Sequence, residues 1–226
     1  KGAFTLARPT ARLRRVPTFV IVGAQRSGTT SLYRYLLAHP DVTGVRFGKG
    51  VHWFDTGYDR SFDWYRAHFP LDGTRVPGGS RESQCGEGSP YYMFHPLAMA
   101  RIVERLPDVR VIAVLRDPVV RAHSQWAHEV ARGYEHLDFR AALEAEPERL
   151  RGEEERLRRD PYATSHAHQH QSYVARGQYA LQVERMHELL PADRVLVLPF
   201  QELTGKAQET YDRVLAFLGL APFSPA

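Results

Sequence analysis

Apolar positions along the chain follow two alternating rhythms. Thr18 to Val22 form a short β-branched and aromatic run that stops at Gly23, and beyond a polar loop Leu32, Tyr35 and Leu36 recur at helical spacing. That stretch reads as strand, loop, helix. Met99, Ile102, Val103 and Leu106 repeat at i, i+3, i+4, i+7 after Pro96, a helix that Pro107 and Asp108 close. The run "VRVIAVL" (109 to 115) is a second strand signal. It stops at "RDP" and gives way to Val119, His123, Trp126 and Val130, again at helical spacing. Tyr179, Val183, Met186 and Leu190 mark another helix, which leads through "PADR" to a third strand, "VLVLP" (195 to 199). A last helix spans about 206 to 218 and ends at Gly219.

Continuously apolar strands that alternate with helices predict an α/β fold, a parallel sheet flanked by helices on both faces. Ligands in that architecture sit beyond the carboxyl ends of the strands, where the loops 23 to 31 and 116 to 124 fall. "LDGTRVPGGSRESQ" (71 to 84) reads as a polar, Gly-rich connection, and "EAEPERLRGEEERLRRD" (144 to 160) as a solvated helical region interrupted by Pro147. With no internal repeat and no linker, residues 1–226 are expected to form a single domain, 1–16 being an N-terminal extension.

Composition narrows the function classes. With 43% apolar and 25% charged residues the chain can bury a substantial core. The single Cys85 excludes a disulfide framework within the chain and a cysteine-rich zinc site, which makes the cytoplasm the expected compartment. No apolar run approaches the roughly 20 residues that cross a bilayer, and "KGAFTLARPTARLRR" has no signal-peptide core, so no membrane partner is expected. The net charge is +4, and of the 30 cationic residues only Lys1, Lys49 and Lys206 are lysine. Arginine suits phosphate-like and sulfate-like groups. These arginines are scattered among acids rather than set in a basic stripe, so nucleic acid is not an expected partner.

The loop after the first strand runs from Gly23 to Gly28 with the spacing of a P-loop, but Thr29 stands where the lysine of an NTPase would be. Backbone N–H groups at a helix N-terminus, joined by the side chains of Arg26, Ser27, Thr29 and Thr30, make a phosphate site. An NTPase also needs an acid at the end of a strand to hold Mg²⁺. "VIAVL" ends in Arg116 instead, so the expected ligand is a nucleotide with two separated phosphates, held without a metal. Asp117 followed by Pro118 is expected to cap the next helix.

These residues amount to a resemblance. "VGAQRSGTTSLYRYLLAHPDV", "KGVHWFD", "WYRAHFP", "GEGSPYY", "VIAVLRDPVVRAHSQWAH" and "YVARGQYALQVERM" resemble, in order from about residue 17 to 203, the motifs of the sulfotransferases that use 3'-phosphoadenosine 5'-phosphosulfate. The nearest likeness is to the branch of the heparan sulfate sulfotransferases and their bacterial relatives. The resemblance implies a P-loop-like α/β fold and transfer of a sulfuryl group to a hydroxyl, or secondarily an amine, of a small-molecule or glycan acceptor. The product would be adenosine 3',5'-bisphosphate. It implies that Gln25, Arg26, Ser27, Gly28, Thr29, Thr30 and Ser31 bind the 5'-phosphosulfate, with Arg26 where most members have lysine. Arg116 and Ser124 match the residues that bind the 3'-phosphate, and Arg176 a later cofactor contact. The chain closes at "GLAPFSPA", short of a basic loop that helps to clamp the 3'-phosphate in the family, so it is either shortened or holds the cofactor less tightly.

One departure bears on the chemistry. The family segment reads Lys-Glu-x-His-Phe-Phe with the Glu as base, whereas here Lys49 is followed by Gly50, Val51 and His52. Three readings stay open: His52 is the base, with Asp55 orienting it; another acid such as Glu87 reaches the site; or the protein binds the cofactor without turning it over. His52 is preferred because an imidazole titrates near neutral pH, with Lys49 supplying positive charge beside it. Tyr91 and Tyr92 are candidates for an acceptor pocket or for the core. His166, His168 and His170 alternate along "SHAHQHQS" and would face one way on an extended segment, yet no acidic or cysteine partner adjoins them, so no metal is expected. A P-loop kinase is the remaining rival, opposed by the missing lysine and strand-end acid.

Overall fold

A computed structural model describes residues 8–46, 48–73 and 83–225. Among them are five parallel strands, β1 (Phe19–Gly23), β2 (Val42–Gly44), β3 (Gln84–Gly88), β4 (Arg110–Leu115) and β5 (Val195–Pro199), in the order β2-β3-β1-β4-β5. β1 lies at the centre. The chain leaves it through helix α1 (Thr29–Ala38) to build β2 and β3 on one side, then crosses to β4 and β5 on the other. This reversal opens a crevice at the carboxyl ends of β1 and its neighbours.

Alternate residues of the central strands enter two separate cores. Val20, Val22, Val111 and Ala113 pack with Phe54, Tyr65, Met99, Ile102 and Met186 on one face. Phe19, Ile21, Ile112 and Val114 pack with Leu32, Leu36, Val214 and Leu218 on the other. Both faces are covered, which is why β1, β4 and β5 read as unbroken apolar runs. β3, with the sequence QCGEG, carries no such signal. A Cβ on Gly86 would lie 2.2 Å from the Phe19 ring, so the neighbouring strand's side chain occupies the place of its own.

Helices α2 (Phe62–Arg66), α3 (Ala98–Arg105), α4 (Pro118–Ala131), α5 (Phe139–Leu150), α6 (Glu153–Arg159), α7 (His166–His170), α8 (Tyr179–Leu189), α9 (Phe200–Gly205) and α10 (Ala207–Leu218) complete the described fold. Asp117 caps α4 as expected, accepting from the Val120 N–H at 2.9 Å. The buried face of α4 differs from the expected one. Val119 is 70% exposed, while Arg121, Gln125 and Glu129 are fully buried, because this face meets the 168–176 segment and the β1 loop rather than the core.

Pro147 lies inside α5 without ending it; the break comes at Gly152, whose φ is 70°. The 144–160 region is also not wholly solvated, because Glu146 is buried and accepts from Val174 N–H and Ala175 N–H at 2.7 and 2.8 Å. "HAHQH" is helical rather than extended, so His168 leaves the side shared by His166 and His170, whose rings lie 4.9 Å apart. Most of the 71–84 connection and residues 1–7 lie outside the described residues. The rest of the N-terminal extension packs onto the domain, Arg14 donating to the Phe69 carbonyl at 2.6 Å. No helix among the described residues is long and apolar enough to cross a membrane.

Candidate active site

A cavity of about 740 Å³ opens at the carboxyl ends of β1, β3 and β4. It collects Gln25, Arg26, Gly28, Thr29, Thr30 and Ser31 from the loop and first turn after β1, Arg116 and Ser124 from the β4 end and α4, and Lys49, His52, Tyr91 and Arg176 from the crossovers. Three expected residues are not on its wall. Ser27 is fully buried, so its side chain offers nothing to a ligand; Asp55 lies behind His52; and Tyr92 is fully buried beneath the 51–54 segment. Five of the lining residues are Lys or Arg and none is Asp or Glu. A water-filled cleft with that balance attracts polyanions.

The loop cations are tied to each other and to the backbone. Arg26, at φ 67°, donates through Nε to the Ser124 hydroxyl at 3.1 Å, and Arg116 donates to the Arg26 carbonyl at 3.1 Å while covering the Phe200 ring at 4.8 Å. Lys49 donates to the Thr29 hydroxyl at 2.8 Å. Burial pulls its ammonium down to about 8, the charge of Glu87 only partly opposing that.

Arg176 is 2% exposed and donates to Gln25 Oε1 and to the carbonyls of His168 and Gln169. Burial lowers it to about 10. Gln25 passes the connection on, donating from Nε2 to the buried Glu129 at 3.0 Å; the other Glu129 oxygen meets His170 at 3.2 Å and Arg132 at 3.7 Å. A buried cation and a buried carboxylate are thus bridged by one amide of the loop after β1.

His52 is the residue of this cavity best built for proton transfer. Its Nδ1 lies 2.8 Å from Asp55 Oδ2, with the imidazole side chain 42% exposed and the carboxylate wholly buried. An anionic Asp55 accepts the Nδ1 proton and leaves Nε2 as the basic nitrogen. Burial works against the charged imidazole, but the Asp55 charge and hydrogen bond outweigh it, so the His52 pKa is raised above its ordinary value. Burial likewise opposes the Asp55 anion and is overcome by His52 and the Thr56 N–H, which hold it low.

No carboxylate replaces the family Glu at this wall. A Cβ on Gly50 would lie 2.4 Å from Ser89 Oγ and 2.6 Å from the Gly88 carbonyl, so the backbone there leaves no room for a side chain. Glu87 is fully buried and does not line the cavity. The histidine segment does not form a metal site either: among the described residues no group of three or more His, Cys, Asp or Glu could hold an ion. His168 is stacked on Phe94 and meets the Tyr91 hydroxyl at 2.8 Å, and burial lowers it to about 3. Thr56, Pro90, His128, Arg132, Gln169, His170 and Phe200 also line the cavity and were not anticipated. Only His170 carried a signal, its place in the alternating histidines.

The family model of the sulfotransferase domain matches residues 17–224. The chain belongs to the sulfotransferase domain family. A crystal structure of a sulfotransferase from Alicyclobacillus acidocaldarius is 32% identical, with a TM-score of 0.71 over 94% of this chain and 85% of that one. The mouse (Mus musculus) heparan sulfate glucosamine 3-O-sulfotransferase 6 is 30% identical over 214 residues, 92% of this chain and 53% of its own length. The bovine (Bos taurus) bifunctional heparan sulfate N-deacetylase/N-sulfotransferase 2 is 27% identical over 225 residues, 92% of this chain and 22% of its own. This sulfotransferase domain therefore spans between about a fifth and a half of those curated relatives.

Proposed function

We propose that the chain transfers a sulfuryl group from 3'-phosphoadenosine 5'-phosphosulfate to a hydroxyl, with an amine as the second choice, of a glycan or other polyhydroxylated acceptor. The observation that carries this reading is the His52–Asp55 pair opening onto the same cationic cavity as the loop 25–31. The cavity fits such a donor by size and charge, and its lining supplies cations and hydroxyls in place of a metal site.

In this reading the loop 25–31 and Lys49 hold the 5'-phosphosulfate, and Arg116 and Ser124 hold the 3'-phosphate. Arg176 keeps Gln25 in place from behind. The donor supplies an electrophilic sulfur and a bisphosphate leaving group. His52 Nε2 accepts the acceptor's hydroxyl proton as the new O–S bond forms, and the buried Asp55 stabilises the resulting imidazolium. Arg26 and Lys49 face the charge that develops on the bridging oxygen as the old O–S bond breaks. The cavity is also lined by the polar His128, Arg132, Gln169 and His170, and the curated relatives are named for heparan sulfate; both support a glycan acceptor over an apolar one. A reducing compartment, the cytoplasm, suits a chain whose one cysteine is buried with its thiol pushed up to about 11 by that burial.

The test is titration calorimetry with adenosine 3',5'-bisphosphate in the presence of EDTA, followed by transfer from labelled donor to a panel of glycans. Binding that survives EDTA and is lost in Arg116→Ala, with turnover falling about 100-fold or more in His52→Ala, supports the reading. Tight binding without transfer to any acceptor favours the non-catalytic binder, and stabilisation by ATP with Mg²⁺ favours the kinase.

A further inference from the structure

The carboxylate that sequence offered as an alternative base does something else. Glu87 is the last residue but one of β3, fully buried and bonded to the segment that carries His52. Its Oε2 accepts from the Val51 N–H at 2.8 Å and the Ser89 hydroxyl at 2.9 Å; its Oε1 accepts from the hydroxyls of Tyr65 at 2.8 Å and Tyr92 at 3.2 Å. Four donors on two oxygens fill the capacity of a carboxylate. The anchored hydroxyls then reach onward. Ser89 Oγ accepts from the His52 N–H at 3.2 Å, and Tyr92 Oη accepts from the N–H groups of Trp53 and Phe54 at 2.9 and 3.4 Å.

Four consecutive N–H groups, 51 to 54, therefore end on Glu87 directly or through one hydroxyl. That segment has no helix or strand to hold it, and His52 sits at φ 55°, a left-handed conformation that disfavours a side chain. Gly50 and Gly88 let the two backbones close to within the reach of these bonds, since a Cβ on Gly50 would meet the Gly88 carbonyl.

We propose that Glu87 is a positioning residue for sulfuryl transfer, fixing the 51–54 segment so that His52 keeps its bond to Asp55 and presents Nε2 to the cavity. The role rests on the functional reading above, in which His52 takes the acceptor proton. None of the four partners of Glu87 belongs to the loop 25–31 or to α4, and its link to the donor site is electrostatic, its charge favouring the protonated form of Lys49.

Two variants test it. Glu87→Gln replaces one acceptor oxygen with an amide that points two donors at donors, and Ser89→Ala removes only the hydroxyl between Glu87 and the His52 N–H. The positioning role predicts a fall in kcat of about 30-fold or more in Glu87→Gln and about 5-fold in Ser89→Ala. Affinity for adenosine 3',5'-bisphosphate stays within about 2-fold of the parent in Ser89→Ala, which keeps the Glu87 charge beside Lys49. The His52 imidazole, followed by proton NMR, titrates lower in Ser89→Ala as its contact with Asp55 loosens; in Glu87→Gln the lost Glu87 charge lowers it as well, so Ser89→Ala is the deciding variant. Parental kcat and a parental His52 titration in Ser89→Ala overturn the proposal even if Glu87→Gln does not fold. A parallel loss of nucleotide affinity and kcat in Ser89→Ala also overturns it, since that is damage to the fold. If the parent itself transfers no sulfuryl group, the functional reading fails, while the His52 titration still decides whether Glu87 holds the segment.

Discussion

Lys49 shows how one glycine sets the chemistry of a neighbour. A Cβ on Gly88 would stand 2.7 Å from Lys49 Cε, so the lysine reaches Thr29 across the space that residue 88 leaves vacant. Gly88→Ala is expected to push the ammonium off the phosphate loop and weaken nucleotide binding about 10-fold, as the loss of one charge-assisted contact does. Because burial holds Lys49 at about 8, it is charged below that pH and neutral above. A bound polyanion favours the charged form, so binding near pH 9 is expected to take up close to one proton. Calorimetry in buffers of different ionisation enthalpy measures this uptake, and Lys49→Met should abolish it. His52 has the opposite requirement, since it works as a base only when neutral and its pKa is raised. Activity should therefore rise through a midpoint above the usual histidine value and fall again as Lys49 loses its proton, a narrow bell in kcat/KM. Asp55→Asn should move the acid limb to lower pH. A limb that stays in place in that variant would assign the titration to another group.

Helix α4 separates what sequence shows from what only the fold shows. The spacing of Val119, His123, Trp126 and Val130 reveals a helix over this stretch but points to the wrong face, because the buried side is held by Arg121, Gln125 and Glu129 through polar partners. Hydrophobic periodicity cannot see a face that is buried through polar partners. The strands divide in the same way. β1, β4 and β5 are covered on both faces and read as apolar runs, whereas β3 borrows Phe19 to fill the place of a side chain at Gly86. The loop 25–31 stands out in the sequence because its glycine and hydroxyl residues are contiguous, and all of it but Ser27 lines the cavity. Arg132, Gln169 and His170 reach the cavity only because Glu129, Gln25 and Arg176 tie three distant segments together. Val119→Ser should accordingly change stability by no more than about 0.5 kcal/mol. Glu129→Ala should cost about 3 kcal/mol, since it leaves Gln25 and His170 without their buried acceptor. Chemical denaturation of the two variants compares these costs directly, and equal midpoints would show that the polar face of α4 carries no weight.

At the scale of the whole molecule, the chain reverses direction around β1 and brings the loop after β1, the end of β4 and the crossover segments to one mouth. The lining cations there lie on segments from residue 26 to 176, with no lining carboxylate to offset them. Such a site repels itself when empty and is relieved by a polyanion, so ligand binding should stabilise the fold as a unit rather than order one loop. At a nucleotide concentration of about 100 Kd the gain is about 2.7 kcal/mol. For a domain of this size that corresponds to a rise in Tm of roughly 5–10 °C. Adenosine 3',5'-bisphosphate should give the full shift. Adenosine 5'-monophosphate, lacking the group that Arg116 and Ser124 would meet, should give a much smaller one at equal concentration. Added salt should reduce the shift, because much of the attraction crosses solvent at distances comparable with a Debye length of about 8 Å at physiological ionic strength. Arg116→Ala should bring the bisphosphate shift down to that of the monophosphate without lowering the Tm of the free protein, because Arg116 gives its hydrogen bond to an exposed loop carbonyl and not to the core. Equal shifts for the two nucleotides in the parent would mean that the β4 end is not a phosphate site. The cavity would then serve a single anionic group at the loop 25–31, and Arg116 at the β4 end would be facing the acceptor instead.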